Sequence, residues 1–137
     1  QFGIKPYKRK AKEKYMSKLQ LNHFKKLLLA WKGQLELEAE VTVKHLKSES
    51  NNLADPNDRA TQESEFGLEL RTRDRERKLL RKIQISLNKI DEGTFGYCEE
   101  TGEEIGLKRL EARPVATYTL EAQERREITE KQFKDTR

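Results

Sequence analysis

The sequence predicts a mainly α-helical protein: a long antiparallel coiled-coil hairpin, a small globular domain and a C-terminal helix. Three observations lead to this fold class. Only 34% of the 137 residues are hydrophobic and 39% are charged, which is too little apolar side chain for a wide globular core. Apolar residues recur at alternating steps of three and four in two long stretches, as along the seam of paired helices. Four of the seven glycines fall between residues 93 and 106, where the helical period stops.

Residues 1–16 are predicted to form a basic arm, flexible or loosely docked. They contain Gly3, Pro6 and six Lys/Arg, and they show no helical period. The chain starts at Gln1 rather than at methionine, which is compatible with further native residues before it.

The hairpin is predicted over residues 17–92. Its first helix begins at a capping box, in which Gln20 follows Ser17 by three residues. Its second helix begins at Asp55-Pro56-Asn57-Asp58, with Asp at the N-cap and Pro at the first helical position, and ends before Gly93. Because a short polar loop joins them, the two helices must run antiparallel, with the tip near residues 48–60. The first seam comprises Leu21, Phe24, Leu28, Trp31, Leu35, Thr42 and Leu46, and the second Phe66, Leu70, Arg73, Arg77, Leu80, Ile83 or Gln84, Leu87 and Ile90.

Two further elements follow the hairpin. Residues 93–118 are predicted to form a small domain with a hairpin turn at Thr101-Gly102. Residues 119–137 hold the C-terminal helix, which docks through Leu120, Ile128 and Phe133. The expected core of the small domain is Phe95, Tyr97, Ile105, Leu107 and Leu110.

The charge pattern excludes several classes of function. Residues 1–47 and 70–90 are net positive and residues 48–69 and 91–137 are net negative, within a total of +5. The acidic tip argues against a DNA reader and favours a protein partner that has a basic lining or holds a metal ion. No apolar run approaches the roughly 18 residues of a membrane span, and the basic residues 1–15 lack the apolar stretch that a secretory signal requires, so we expect none. We therefore expect a soluble cytoplasmic protein.

The residue patterns do not predict an enzyme. Asp55 and Asp58 serve as capping residues, and the same carboxylates at a hairpin tip can reach a buried site in a large partner. His23 and His45 are expected to be solvated or to lie in the seam. No Ser/His/Asp arrangement or glycine-rich phosphate loop is present.

Two further features remain open. The second helix carries a dense basic run, which is either a solvated face or a site for a phosphorylated ligand or acidic partner; Arg113 can add a guanidinium group there. Cys98 is the single cysteine, and one sulfur cannot hold structural zinc, which takes four ligands. The basic run consists of Arg71, Arg73, Arg75, Arg77, Lys78, Arg81 and Lys82.

From about Met16 to Gln132 the chain resembles the DksA/TraR family of bacterial transcription regulators. The matching stretches are DPNDRA (55–60), ELRTRDRERKL (69–79), FGYCE (95–99) and EIGLKRLEARP (104–114). The resemblance implies a monomer, with bacterial RNA polymerase and the alarmone ppGpp as partners, no sequence-specific DNA binding and no tightly bound cofactor.

The resemblance also implies roles for particular residues. The hairpin would enter the polymerase secondary channel and bring Asp55, Asp58 and Ala60 near the catalytic centre. There the regulator would destabilise promoter open complexes together with ppGpp, in the stringent response. The ppGpp positions match Leu79, Lys82 and Arg113. The alternative is a transcript-cleavage factor built on a similar hairpin, whose tip acids recruit a metal.

The chain departs from the family pattern at two places. Most relatives bind zinc through four cysteines, but here Thr101, Thr119 and Ala122 accompany Cys98. This is similar to the zinc-independent, cysteine-poor branch, in which packing holds a zinc-finger-like domain without the metal. A basic residue that contacts ppGpp in relatives falls on Gln123, which leaves the strength of ppGpp coupling open.

Overall fold

The structure is a computed structural model that describes residues 2–50 and 56–135, with side chains described for residues 2–48 and 63–135. It is mainly α-helical, as the sequence predicts. The chain divides into two compact units, a hairpin unit (Leu29–Gln84) and a terminal unit (Gln1–Leu28 with Ile85–Arg137). The helices are α1 (Lys18–Ser50), α2 (Pro56–Glu92), α3 (Leu107–Ala112) and α4 (Leu120–Asp135).

Helix α1 begins at the predicted capping box. Ser17 Oγ accepts a hydrogen bond from the N–H of Gln20 at 3.3 Å. In return, Gln20 Oε1 accepts one from the N–H of Met16 at 2.6 Å, one residue before the N-cap. Gln20 is fully buried, so this cap belongs to the packed interior of the terminal unit.

In the hairpin unit, α1 and α2 run antiparallel. Three side-chain hydrogen bonds join the helices, and their residue numbers rise along α1 while they fall along α2, as only an antiparallel pair allows. The pairs are Lys32 with Gln84 at 3.3 Å, Thr42 with Glu76 at 3.5 Å, and His45 with Glu69. The predicted hairpin orientation is therefore confirmed within this unit.

The register of the α2 seam differs from the prediction by one residue. Arg73 and Arg77 are exposed, whereas Thr72 and Glu76 are half-buried. The fully buried Ile83 sets the register, because alternating steps of four and three from it lead to residues 79, 76, 72 and 69. The prediction that arginines occupy the seam is wrong, because its steps of three and four pass through Leu70, which is 42% exposed, and reach Arg73 and Arg77 from there.

Helix α2 ends where the glycine signal predicts. Gly93 has a φ of +80°, in the left-handed region that glycine adopts without strain. The N–H groups of Thr94 and Phe95 both donate to the carbonyl of Lys89, at 2.9 and 3.2 Å. The chain therefore turns away from the helix while the Lys89 carbonyl, near the helix C-terminus, accepts hydrogen bonds from the residues that follow.

The hairpin turn at Thr101-Gly102 is confirmed. The N–H of Gly102 donates to the Cys98 carbonyl at 2.9 Å, and an isolated antiparallel bridge pairs Tyr97 with Glu104. Thr101 Oγ1 accepts from the N–H of Glu103 at 3.2 Å, a local bond typical of turns.

The small core is mostly as predicted, with one correction. Phe95, Ile105 and Leu110 are buried, and the Phe95 ring lies 5.6 Å from that of Phe24 in α1. Tyr97 is 37% exposed, so its assignment to the core is wrong. Successive side chains of an extended segment point to opposite sides, and the next residue, Cys98, is buried, so Tyr97 points to the other side.

Helix α4 is present, but the residues predicted to dock it are not buried. Leu120, Ile128 and Phe133 are 52%, 58% and 60% exposed. The helix packs through its first turn instead, where Ala122 is fully buried and its N–H donates to Thr119 Oγ1 at 3.2 Å. The small residue Ala122, near the N-terminus of α4, thus makes the packing contact that the sequence predicts for the larger residues.

The arm of residues 1–16 makes specific tertiary hydrogen bonds. Tyr7 N–H donates to Glu111 Oε1 at 2.8 Å, and the Tyr15 hydroxyl bonds to residues of the small domain.

Over the described ranges, no helix combines the length and apolar character that crossing a lipid bilayer requires.

Candidate functional site

A groove of about 420 Å³ in the hairpin unit contains two of the predicted ppGpp residues. Leu79 is half-buried and Lys82 is exposed, one turn further along α2. The groove is lined by Glu38, Thr72, Arg75, Glu76, Lys78, Leu79 and Lys82. Its three cations can donate several charge-assisted hydrogen bonds to a phosphate or carboxylate group, while the leucine offers apolar contact.

Arg113, the third predicted ppGpp residue, belongs to the terminal unit. It caps the C-terminus of α3, where its N–H donates to the Arg109 carbonyl at 2.7 Å. The residue is exposed, so its guanidinium group is accessible to a ligand. Gln123, at the position that is basic in relatives, lies in the first turn of α4, and its amide donates to Glu127 at 3.0 Å.

The predicted tip residues fall at the edge of what the structure describes. Asp55 lies outside the described residues. Asp58 and Ala60 lie in the first turns of α2, which begins at Pro56 as the sequence predicts, but their side chains are outside the described set.

The basic run of α2 is entirely exposed, and it divides between two faces of the helix. Arg75, Lys78 and Lys82 line the groove, and helical spacing puts Arg71 on the same face. The other members of the run, Arg73, Arg77 and Arg81, follow the same spacing on a second face. The groove therefore has a cationic edge along several turns.

Sequence reasoning missed the polar character of the hairpin seam. Glu69 bonds to His45 and Glu76 to Thr42, across the two helices. The second carboxylate oxygen of each glutamate is buried without a hydrogen-bond partner among the described residues. The available signal was the coiled-coil period counted back from Ile83, which reaches both glutamates.

A second polar cluster, also unpredicted, lies in the terminal unit. His23 Nε2 bonds to Glu111 Oε1 of α3, and the His23 ring lies 5.0 Å from Phe24 and 5.5 Å from Tyr7. The expectation of a solvated or seam histidine therefore fits His45, which pairs across the helices, better than His23. Nothing local in the sequence joins residue 23 to residue 111.

Comparison with known proteins agrees with this architecture. The family model for the N-terminal domain of DnaK suppressor protein DksA matches residues 20–90, and that for the prokaryotic dksA/traR C4-type zinc finger matches residues 93–127. The chain belongs to the DksA family. It is 54% identical over 130 residues to the RNA polymerase-binding transcription factor DksA of Haemophilus influenzae, covering 95% of this chain and 90% of that protein.

Two further DksA proteins give the same result. The Escherichia coli K12 protein, also named RNA polymerase-binding transcription factor DksA, is 52% identical over 131 residues, which cover 96% of this chain and 87% of that protein. The structure of transcription factor DksA2 from Pseudomonas aeruginosa superposes with a TM-score of 0.80 at 38% identity, covering 88% of this chain and 95% of that one.

The side chains at the zinc positions of the DksA family do not fit a zinc ion in this chain. Cys98 supplies one sulfur, and Thr101, Thr119 and Ala122 occupy the other positions; alanine has no donor atom, and threonine is not a usual zinc ligand. Across the described ranges, no group of three or more His, Cys, Asp or Glu residues is arranged to bind a metal. Thr119 Oγ1 donates a hydrogen bond to Cys98 Sγ at 3.9 Å instead.

The Cys98 thiol is buried but surrounded by donors. Burial raises its pKa, but hydrogen bonds from Thr101 and from the backbone N–H groups of Thr119, Thr101 and Glu100 outweigh that effect and lower the pKa to about 7. Within the segment that matches the C4-type zinc finger, this chain therefore holds a single sulfur atom that hydrogen bonds from the protein stabilise.

Proposed function

We propose that this chain regulates transcription by binding RNA polymerase, without catalysing a reaction of its own. The observation that carries the proposal is identity of 52–54% over nearly the whole chain to proteins named RNA polymerase-binding transcription factor DksA. The antiparallel helices of the hairpin unit are consistent with that role.

The proposed mechanism is differential binding. The hairpin enters the polymerase secondary channel, and its tip, with Asp55, Asp58 and Ala60, approaches the catalytic centre. A regulator that binds one polymerase state more tightly than another shifts the population toward that state, by no more than its difference in affinity. Lower stability of promoter open complexes follows if the open complex is the state bound less well. In this role the protein acts as a cytoplasmic monomer and does not read DNA sequence.

The groove beside α2 supports ppGpp as the co-regulator. Lys82, Lys78 and Arg75 supply positive charge, and Leu79 supplies apolar contact, from one face of one helix. In this proposal the alarmone binds between polymerase and the regulator, with Arg113 as a further contact. Gln123 brings no charge, so coupling to ppGpp is expected to be weaker than in relatives with a basic residue there.

Binding and tip function are tested together. Wild-type protein and Asp58→Asn should both retain core RNA polymerase in a pull-down, because the substitution keeps size and removes only charge. Asp58→Asn should lose inhibition of a promoter with a short-lived open complex, while Asn57→Ala in the same turn should retain it. Full inhibition by Asp58→Asn refutes the role of the charge, and failure of the wild type to bind polymerase refutes the proposed function.

The ppGpp site has its own test. Lys82→Ala and Arg113→Ala should reduce the additional inhibition caused by ppGpp more than they reduce inhibition without it. Arg77→Ala is the matched control, because it removes one positive charge from an exposed site on α2 that does not line the groove. An unchanged ppGpp response removes Lys82 and Arg113 from the ligand site. Cleavage of backtracked RNA in the same polymerase preparation would instead support a transcript-cleavage factor.

A further inference from the structure

The small domain lacks the ligands of its family's zinc site, so other contacts must hold its chain segments together. Two of them join the hairpin of residues 95–106 to the start of α4: Thr119 Oγ1 to Cys98 Sγ at 3.9 Å, and Glu99 N–H to the Thr117 carbonyl at 2.9 Å. Neither of these is a strong cross-link, because sulfur is a weak acceptor and the other contact is a single backbone hydrogen bond.

A stronger link reaches the same hairpin from the N-terminal arm. The Tyr15 hydroxyl donates to the Gly96 carbonyl at 2.7 Å and accepts from the N–H of Gly106 at 2.9 Å. Gly96 and Gly106 lie on opposite strands of the hairpin, on the side of the Tyr97–Glu104 bridge away from the turn. The Gly96 carbonyl also accepts from the N–H of Ile105 at 2.8 Å, so the hydroxyl group adds a second connection between the two strands where the hairpin opens toward the rest of the chain.

Packing around this hydroxyl is close. The Tyr15 ring meets the Tyr97 ring edge-on, with centroids 5.5 Å apart. A Cβ atom at Gly96 would lie 2.9 Å from Cγ and Sδ of Met16, and the φ of Gly96 is +91°, so a larger residue there is doubly unfavourable. Burial raises the pKa of Tyr15, which keeps its hydroxyl protonated and able to donate.

The backbone of the arm is specialised for this contact. Met16 has a φ of +55°, a left-handed conformation that is costly for a residue other than glycine. Its N–H is held by the buried side chain of Gln20 at 2.6 Å. Such a conformation persists only when surrounding contacts determine it, and these contacts are the helix cap on one side and the glycine of the hairpin on the other.

The arm is also attached at its other end. The Tyr7 N–H donates to Glu111 Oε1 of α3 at 2.8 Å, and the same carboxylate oxygen bonds to His23. The Tyr7 hydroxyl bonds to Glu13, which also accepts from Ser17 Oγ at 3.0 Å. The arm thus runs from α3 to the hairpin with both attachments inside the terminal unit.

We propose that the N-terminal arm holds the metal-free small domain together. The Tyr15 hydroxyl makes hydrogen bonds to both strands of the hairpin, so that the arm and the hairpin are ordered together or not at all. In this view residues 7–16 are a structural part of the small domain. A cross-link from outside the hairpin does part of what a metal ion does when it joins distant segments of a chain.

The test is Tyr15→Phe in the full-length protein, with Tyr97→Phe as the matched control. Tyr15→Phe keeps the ring but leaves the Gly106 N–H without its acceptor. Tyr97→Phe removes a hydroxyl from the other ring of the same pair, one that makes no hydrogen bond among the described residues. The measurement is amide hydrogen exchange resolved by residue, in the presence of a chelator and again with added zinc.

In Tyr15→Phe, protection of the Gly106 and Tyr7 amides should fall together, by about tenfold or more, since the part-buried Gly106 N–H loses its hydrogen-bond acceptor. Tyr97→Phe should change both by less than about threefold, and neither chelator nor zinc should alter any of these values. If Tyr15→Phe does not fold, Met16→Ala provides the same comparison with the hydroxyl intact and should lower both protections to a smaller degree.

Three results would overturn the proposal. The first is unchanged protection at Gly106. The second is a loss at Gly106 with full protection kept at Tyr7, which would make the arm and hairpin independent. The third is restoration of protection by zinc, which would show that a metal holds the domain.

Discussion

Replacing Glu76 by leucine is expected to stabilise the hairpin unit. Glu76 Oε2 is buried without a partner among the described residues, and Oε1 makes only a long contact, 3.5 Å from Thr42 Oγ1. A buried polar group without a partner costs about 1–3 kcal/mol, and the hydrogen bond that would be lost contributes about 0.5–1.5 kcal/mol. Leucine at this half-buried site adds about 1 kcal/mol of apolar burial. These terms give a rise in the free energy of unfolding of about 2 kcal/mol, within a range of about 0.5–3.5 kcal/mol.

The measurement is urea unfolding followed by far-ultraviolet circular dichroism, which reports helix content. Arg77→Leu is the matched control, because it places the same side chain one residue later, at a position that the sequence alone assigns to the seam. Arg77 is exposed, so its substitution should change the free energy of unfolding by less than about 0.5 kcal/mol. Stabilisation by Arg77→Leu together with destabilisation by Glu76→Leu would show that Arg77, and not Glu76, lies in the α2 seam.

Three further outcomes are expected. Hydrogen bonds from Tyr7 and from neighbouring groups lower the pKa of Glu13 to about 2. The contribution of the Glu13 carboxylate to arm docking is therefore complete above the ordinary carboxyl pKa of 4.5 and is lost as pH falls toward 2. The amide NMR signals of the arm should report this loss. Elemental analysis should find well under one zinc per chain, whereas the triple variant Thr101→Cys, Thr119→Cys, Ala122→Cys should bind zinc. The reason is that Thr119 Oγ1 lies 3.9 Å from Cys98 Sγ, close to the distance of about 3.8 Å between two sulfur ligands of tetrahedral zinc. A triple variant without zinc would contradict this geometry. Ile128→Ser should change the free energy of unfolding by less than about 0.5 kcal/mol, since this residue is 58% exposed, and a loss of 2 kcal/mol or more would mean that α4 docks through it.

Some residues of the candidate site can be predicted from the sequence, and others are visible only in the structure. Leu79 and Lys82 are predicted ppGpp contacts through the family resemblance alone, and the structure adds that both line one groove with Arg75 and Lys78. The glutamates of the seam and the His23–Glu111 pair were not identified, since each depends on which helix face meets another element. A pattern of hydrophobic residues describes a face only where apolar side chains fill it, and three of the five α2 seam residues from Glu69 to Ile83 are polar.

The sequence by itself determined those features that depend only on residues close together along the chain. The start of α1, the end of α2 at Gly93 and the turn at Thr101-Gly102 depend on hydrogen bonds or backbone angles within a few residues, so the residue types at those positions are sufficient. The register of the seam, the exposed face of α4 and the docking of the arm required the tertiary structure. The bond between Tyr15 and Gly106 joins residues 91 positions apart, and contacts at such separation depend on how whole elements pack.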